Sequence, residues 1–214
     1  MRAPVVALVV LVAVVLLGTQ FSAAREGGGD MPSNLAVFKT AIFAGGCFWC
    51  MEHSFDALDG VTDVQSGFAG GHVDDPTYKQ VSAGGTGHRE VVQVTYNPAV
   101  IGFDKLLETY WRNIDPFDAG GQFCDQGDQY TAAIFVGDGE ERTLAEVSKA
   151  AMEKRFSEKI VTAIVPVAKF YPAEEYHQDY YLKNPWRYKY YRGGCGRDKR
   201  LHEIWGDEAG GPAH

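Results

Sequence analysis

Cys47 is the side chain best placed for chemistry. It follows an apolar run, residues 35–43, and the pair Gly45-Gly46, and it opens a stretch in which Phe48, Met51, Phe55 and Leu58 recur at helical spacing. A thiol at a helix start meets backbone N–H groups without intrahelical partners and the positive end of the helix dipole. Both favour the thiolate, which predicts a Cys47 pKa below the usual ~8.5. Cys50 lies one turn further on and completes a C-x-x-C; two buried structural cysteines are the competing reading. Glu90 opens a strand-like alternation and shares one face with Val92, Val94 and Tyr96. A carboxyl on a partly apolar face has a raised pKa and suits a general acid near neutral pH, whereas a solvated strand end is the plain alternative. Tyr78 and Tyr130 lie in or beside loops, where a phenol either donates a hydrogen bond to an oxygen or simply packs.

The elements that must hold these groups follow from hydrophobic period. Residues 35–43 and 61–68 read as strands with a helix between them, ended by Gly60. A short helical piece spans 77–82, and residues 89–96 alternate cleanly before Asn97-Pro98. Phe103, Leu106, Leu107, Tyr110, Trp111 and Ile114 form an i, i+3, i+4, i+7 stripe, an amphipathic helix. After a Gly- and Asp-rich loop at 115–129, residues 130–136 read as a strand. Asp138 and Glu141 then read as the capping box of a helix reaching about Ser157, and 161–167 as a further strand. From Phe170 the chain reads as aromatic and irregular, with a helical turn or two near 174–183. The expected fold is α+β: a ferredoxin-like, split βαβ two-layer core with an added helix, an added strand and a long irregular C-terminal tail.

The whole chain bounds what this domain does. A formal net charge of −8 supplies no basic face, which argues against a nucleic-acid partner. Arg2 precedes a charge-free stretch, residues 3–24, densest in Val, Leu and Ala over 5–17, with Ser22 and Ala24 at the −3 and −1 places of a cleavage site. That pattern predicts a signal peptide over 1–24, or an uncleaved membrane anchor, and so a periplasmic or extracellular location. Residues 25–34 read as a flexible linker, 35–206 as the domain and 207–214 as a disordered tail. The four cysteines, Cys47, Cys50, Cys124 and Cys195, are too few and too irregularly spaced for a disulfide scaffold, so redox chemistry or a metal site is the sharper question.

Several segments now carry a resemblance. Gly46-Cys47-Phe48-Trp49, Pro76-Thr77-Tyr78, Gly87-His88-Arg89-Glu90, Asp125-Gln126-Gly127-Asp128-Gln129-Tyr130, and Tyr176-His177-Gln178 with Lys183-Asn184-Pro185 resemble the motifs of the A-class peptide methionine sulfoxide reductases. They stand in the family's order from about Phe38 to Pro185. The resemblance implies a ferredoxin-like α/β core and the reduction of methionine S-sulfoxide, free or in proteins, as protein repair. It makes Cys47 the nucleophile, lets Phe48 and Trp49 wall an apolar slot for the substrate methyl group, and has Glu90 protonate the sulfoxide oxygen while Tyr78 and Tyr130 hydrogen-bond it. Asp125 occupies the family's nearby acidic position. The chemistry agrees, because a sulfoxide oxygen leaves well only when protonated.

Attack leaves a Cys47 sulfenic acid that a second thiol converts to a disulfide, and an external thioredoxin-type dithiol then reduces it. No bound cofactor and no metal are expected, and the enzyme is expected to act as a monomer. Many relatives have Gly where Cys50 stands and resolve through a tail cysteine. Cys195, within Gly193-Gly194-Cys195-Gly196, is the tail candidate here, while helical proximity favours Cys50. Cys124 is expected merely to pack in its loop. Two rivals remain at this point: a thioredoxin-like thiol–disulfide oxidoreductase using the C-x-x-C, and a zinc module built from all four cysteines.

Overall fold

The computed structural model describes residues 37–137 and 139–210. In chain order these form β1 (Lys39–Ala44), α1 (Phe48–Asp56), β2 (Val61–Ala69), α2 (Tyr78–Ser82), β3 (Arg89–Tyr96) and α3 (Phe103–Arg112). The two-residue strands β4 (Gly121–Gln122) and β5 (Asp125–Gln126) follow, then β6 (Ala133–Val136), α4 (Gly139–Arg155), β7 (Ala163–Pro166), β8 (Tyr171–Pro172), α5 (Tyr180–Lys183), α6 (Pro185–Gly194) and α7 (Arg197–Trp205). Six strands make one sheet in the order β7-β6-β1-β3-β2-β8. Each of the pairs β6-β1, β1-β3 and β3-β2 is antiparallel, with α1 and α3 as crossovers, which is the expected split βαβ core. The additions are β7, parallel to β6 after α4, and β8, antiparallel to β2 at the opposite edge.

Strand periodicity decides what faces the site. Phe43, Val92, Val94 and Tyr96 point into the main core with α1, α3 and α4, while Ile42, Ala44, Val91 and Phe135 form a second cluster on the other face. Glu90 stands at the end of the inward row of β3, opposite Phe68 of β2. Phe43 stacks on Phe55 of α1 at 5.0 Å and on Tyr110 of α3 at 5.2 Å, so β1 fixes both helices. Tyr110 also donates its hydroxyl to the Ala44 carbonyl at 2.9 Å, pinning the end of β1 where Gly45-Gly46 begins.

The C-terminal region departs from the sequence expectation. It is helical rather than irregular: Tyr188 and Trp205 are buried against the body while Trp186 and Tyr190 stay exposed, so the aromatic residues display no regular amphipathic stripe. Pro185 starts α6 at a position where a missing N–H costs nothing, and Gly196, at φ +70°, turns the chain into α7. Trp205 donates its indole N–H to the Ile114 carbonyl at 3.1 Å, and Arg200 pairs with Asp115 at 2.7 Å. Residues 207–210 are likewise ordered: Glu208 bridges Arg112 (2.6 Å) and Arg155 (2.9 Å), which hold its carboxyl down at about 2. Smaller shifts occur elsewhere. β1 begins at Lys39, Tyr130 lies in a 3₁₀ turn before β6, and α4 ends at Arg155. The expected leader, linker and cap residue Asp138 lie outside the described residues, as do 211–214. Among the described residues no helix is long and apolar enough to cross a membrane.

Glu52 of α1 ties the C-terminal region to the core and carries a pH dependence. It is buried, accepts the Ser66 hydroxyl at 2.9 Å and the Asp179 N–H at 2.6 Å, and burial lifts its pKa to about 7 despite both hydrogen bonds. A carboxyl whose native pKa is raised binds its proton more tightly folded than unfolded, so its contribution falls as pH rises from the ordinary carboxylate range through about 7. Glu52→Gln, whose amide the Ser66 hydroxyl can turn to accept from, is therefore expected to exceed wild type in urea midpoint at pH 8. The gap should close towards pH 5.

Candidate active site

Cys47 is the N-cap of α1 and is buried, at 5% exposure. Gly46 before it has φ +80°, and a Cβ there would meet the Gln122 side chain at 2.5 Å, so only glycine permits this approach of the loop. The expected thiolate is not what the structure places here. The Cys47 thiol is pushed well up by burial first, then by its hydrogen bond with Cys50 and by the carboxyls of Glu90 and Asp125. The helix start does not compensate, because the Phe48 N–H goes to Glu90 Oε2 at 3.1 Å and no side-chain cap hydrogen bond is made by Cys47. The pull the other way falls on Cys50, its hydrogen-bond partner. Its thiol is lowered to about 6 by the hydrogen bond from Cys47, against its own burial, and further by Arg197 and Arg192.

Four of the other residues singled out in the sequence gather around this thiol. Glu90 is 2% exposed, and burial raises its carboxyl to about 8 against the pull of the Phe48 N–H, so it is mostly protonated at neutral pH. Tyr78 is set by the Thr77–Gln80 capping box at the start of α2 and by its N–H bonding to the Glu174 carboxylate at 3.1 Å. Tyr130 is set by the turn that closes on the Gly127 carbonyl at 2.9 Å. Burial raises both phenols, and Glu90, Asp125 and Cys47 all act on each of them. They therefore stay protonated donors. Asp125, on β5, accepts the Tyr191 hydroxyl at 2.5 Å, and burial raises its pKa while Tyr191 and Arg197 hold it back.

Phe48 and Trp49 line an aromatic wall beside these groups. Phe48 is 1% exposed and packs at 5.0 Å from His177 and 5.9 Å from Phe68. Trp49 stacks on Tyr180 at 3.7 Å, meets Tyr191 edge-on and donates its indole N–H to His177 Nδ1 at 3.1 Å. A protonated carboxyl, two phenols and a thiol beside an apolar aromatic wall can take up a small polar oxygen and protonate it while a thiol attacks the neighbouring atom.

The sequence pattern described as "Peptide methionine sulfoxide reductase" matches residues 39–209. This chain belongs to the peptide methionine sulfoxide reductase family. Peptide methionine sulfoxide reductase MsrA of Halalkalibacterium halodurans is 54% identical over 170 residues, covering 78% of this chain and 97% of that protein. The same-named protein of Bacillus subtilis is 50% identical over 170 residues, with 78% and 96% covered. Among solved structures, the reduced form of Mxr1 from Saccharomyces cerevisiae matches with a TM-score of 0.67 at 35% identity, over 72% of this chain and 89% of that one. Methionine sulfoxide reductase A of Corynebacterium diphtheriae matches with a TM-score of 0.64 at 31% identity, over 72% and 77%.

In this member of the family the four cysteines form two pairs. Cys47 and Cys50 are free and buried together with Tyr188. Cys124 does not merely pack, as the sequence led one to expect: it is disulfide-bonded to Cys195 at the C-cap of α6. The bond joins the loop that carries Asp125 to the turn between α6 and α7, so Cys195 is held by Cys124 rather than free to reach Cys47. With Cys124 and Cys195 bonded to each other, the four sulfurs do not form one set of free thiols, and the thioredoxin-like alternative fails on fold and family alike.

The peptide methionine sulfoxide reductase site also contains residues to which the sequence gave no role. Tyr191 hydrogen-bonds Asp125 and reaches Cys47, and Arg192 and Arg197 act on Cys50. All three lie in a region read as irregular, where no period marked which side chains point inward. His177 and Gln178 were visible as part of a motif. Their work is positional: His177 holds Trp49, and Gln178 bonds both the N–H and the carbonyl of Ser66, each at 2.9 Å, extending the edge of β2.

Proposed function

We propose that this chain reduces the S epimer of methionine sulfoxide, free or in proteins, through a Cys47 sulfenic acid that Cys50 resolves. The observation that carries the reading is the buried, protonated Glu90 beside Cys47, bonded to the first N–H of α1. The sulfoxide methyl lies against Phe48 and Trp49, and its oxygen accepts from Glu90, Tyr78 and Tyr130. Glu90 gives its proton to that oxygen as the Cys47 sulfur attacks the substrate sulfur. The sulfur–oxygen bond moves to Cys47, methionine leaves, and the proton released by Cys47 restores the Glu90 carboxyl. Asp125, fixed by Tyr191, orients the far side of the site.

Cys50 then attacks the Cys47 sulfenic sulfur, forming a disulfide and expelling the oxygen as water. Proximity supports this choice, since Cys50 lies one turn from Cys47 and both are free. Cys195 takes part later: a thioredoxin-type dithiol first reduces the Cys124–Cys195 bond, which is less buried than the Cys47–Cys50 pair. The freed Cys195 thiolate then attacks the Cys47–Cys50 disulfide, so that the Cys124–Cys195 bond re-forms as Cys47 and Cys50 return to thiols. A thioredoxin-type dithiol supplies the electrons, and no bound organic cofactor is required by this chemistry. We further infer an exported, monomeric protein-repair enzyme acting against oxidative damage; the leader-like residues 1–24 support its location.

One experiment tests the scheme: a single turnover on racemic dabsyl-methionine sulfoxide, with enzyme in excess and no reductant, followed by chiral chromatography and peptide mapping. Expected are an untouched R epimer and a new Cys47–Cys50 disulfide. Equal consumption of both epimers, or Cys47 joined only to Cys195, contradicts the corresponding step.

A further inference from the structure

Helix α6 carries the cations Arg187, Lys189 and Arg192 and no acidic residue, in a chain whose formal net charge is −8. Arg192 is paired with Asp198 at 2.6 Å, and Lys183, just before the helix, with Glu175 at 2.8 Å. Arg187 and Lys189 are exposed, and neither has an ion-pair partner among the described residues. The same helix presents two large aromatic side chains to solvent: Trp186 is 84% and Tyr190 86% exposed. They stand at i and i+4 and so share one face, with Arg187 bordering it on one side and Lys189 on the other. One exposed aromatic is ordinary; two on one face between unpaired cations make a surface of the residue types that dominate binding interfaces. This face adjoins the site. Tyr191, next after Tyr190, donates to Asp125 and meets Trp49 edge-on at 5.8 Å. Arg187 precedes Tyr191 by four positions, which puts it on the same row of the helix, about 6 Å along the axis.

We propose that the exposed face of α6 holds the polypeptide flanking a methionine sulfoxide, and that Arg187 and Lys189 select chains with Asp or Glu close to the oxidised residue. The inference rests on the reading of this chain as a reductase of protein-bound methionine sulfoxide, and adds which proteins it favours. An extended peptide advances about 3.3 Å per residue, so two residues span the distance from Tyr191 to Arg187. A carboxylate two or three positions from the sulfoxide therefore comes level with the Arg187 guanidinium, a group whose fork of donors suits it. The apolar parts of the flanking chain lie against Trp186 and Tyr190. Gly193 and Gly194 follow on the same side of α6, and a Cβ on either would meet nothing within 4 Å, so the surface beyond Tyr190 stays open to an approaching backbone. Continuity with Tyr191 and Trp49 favours a peptide over a lipid surface, because a chain already held by its sulfoxide reaches this face without a second encounter.

The test uses the full chain with dithiothreitol as reductant, so that no protein reductant has to dock. Three synthetic peptides each carry one central methionine S-sulfoxide among glycines, with Asp, Ser or Lys at the second and third positions on both sides. At low salt kcat/KM is expected to fall from Asp to Ser to Lys by about three- to tenfold per step, and the steps should flatten in about 0.5 M sodium chloride. Arg187→Glu combined with Lys189→Glu should reverse the order. N-acetylmethionine S-sulfoxide, too short to reach α6, should be reduced by that variant at the wild-type rate. Trp186→Ala combined with Tyr190→Ala should lower kcat/KM for all three peptides, through KM. All four side chains are exposed, so these changes leave the fold intact. Equal kcat/KM for the three peptides in wild type, or an unreversed order in the charge variant, overturns the proposal. It is also overturned if the charge variant differs from wild type only when thioredoxin replaces dithiothreitol, which assigns the face to the reductant. A difference confined to binding of phosphatidylglycerol vesicles overturns it in favour of a lipid surface. Failure of the reductase reading itself is seen separately, as no methionine from N-acetylmethionine S-sulfoxide with the unaltered protein.

Discussion

Cys47→Ser is expected to fold and to form no methionine from either sulfoxide epimer, even in one turnover with the protein in excess. Cys47 is the sulfur at the start of α1 that reaches Tyr191 and the Glu90 and Asp125 carboxyls. Cys50 cannot replace it, because Cys50 packs against Tyr188 and is held by arginines on the other side of the first turn. A serine hydroxyl in this place has no general base and is a far weaker nucleophile towards sulfur, so a loss of at least about 10⁵-fold is expected. Stability should change little. The swap replaces one small buried group whose chief partner is Cys50, worth about 1 kcal/mol and so about 2–4 °C in Tm. Mass spectrometry after dimedone trapping adds an independent readout: the Cys50→Ser protein acquires one adduct at Cys47, and the same protein with Cys47→Ser added acquires none. Methionine formed by the serine variant in a single turnover sinks the assignment of Cys47.

The raised Cys47 thiol changes how its reactivity is to be understood. A helix start by itself implied a standing thiolate. The structure shows why that inference failed: the first N–H of α1 bonds Glu90, and burial, Cys50 and the Glu90 and Asp125 carboxyls all oppose a charge on Cys47. The nucleophile is therefore stored as a thiol, and its ionisation belongs to the step in which the sulfoxide oxygen is protonated.

What was legible in the sequence follows the same division. The inward row of β3 was readable from period two alone, and it correctly put Glu90 on the core face at the strand's end. The stripe of α3 and the turn at Gly60 were equally plain, and with β1, α1 and β2 they specify the split βαβ core. Motif order marked Tyr78, Tyr130 and Asp125, none of which any period would have selected. The C-terminal helices were not readable, because Tyr188, Tyr191 and Arg197 are held by contacts with residues more than 60 positions away rather than by a stripe of their own. Cys124 illustrates the same limit. Its partner is 71 residues distant, and sequence spacing carries no information about such a pairing.

Glu90→Gln is expected to lower the first-turnover rate at neutral pH by about 10²–10⁴-fold, the range for losing a general acid, while leaving the fold intact. The amide oxygen can still accept the Phe48 N–H that now bonds Oε2 at 3.1 Å, so α1 keeps its start. What the amide cannot do is give a proton to the sulfoxide oxygen. The pH profile separates this from a general loss of order. Burial holds the Glu90 carboxyl at about 8, so the acid form predominates at neutral pH and is lost as pH rises through about 8; the wild-type rate should fall across that interval and the Gln variant should show no such limb. Stability gives the opposite sign. A raised native pKa means that ionising Glu90 above about 8 costs stability that the unfolded chain does not lose, so Glu90→Gln should match or exceed wild type in urea midpoint at pH 9. Rapid-quench measurement of methionine from pH 6 to 9.5, with urea unfolding at the two extremes, gives both answers. A loss under about threefold, or a basic limb that persists in the Gln variant, would leave Glu90 as a buried carboxyl that orients Phe48 and does no acid catalysis.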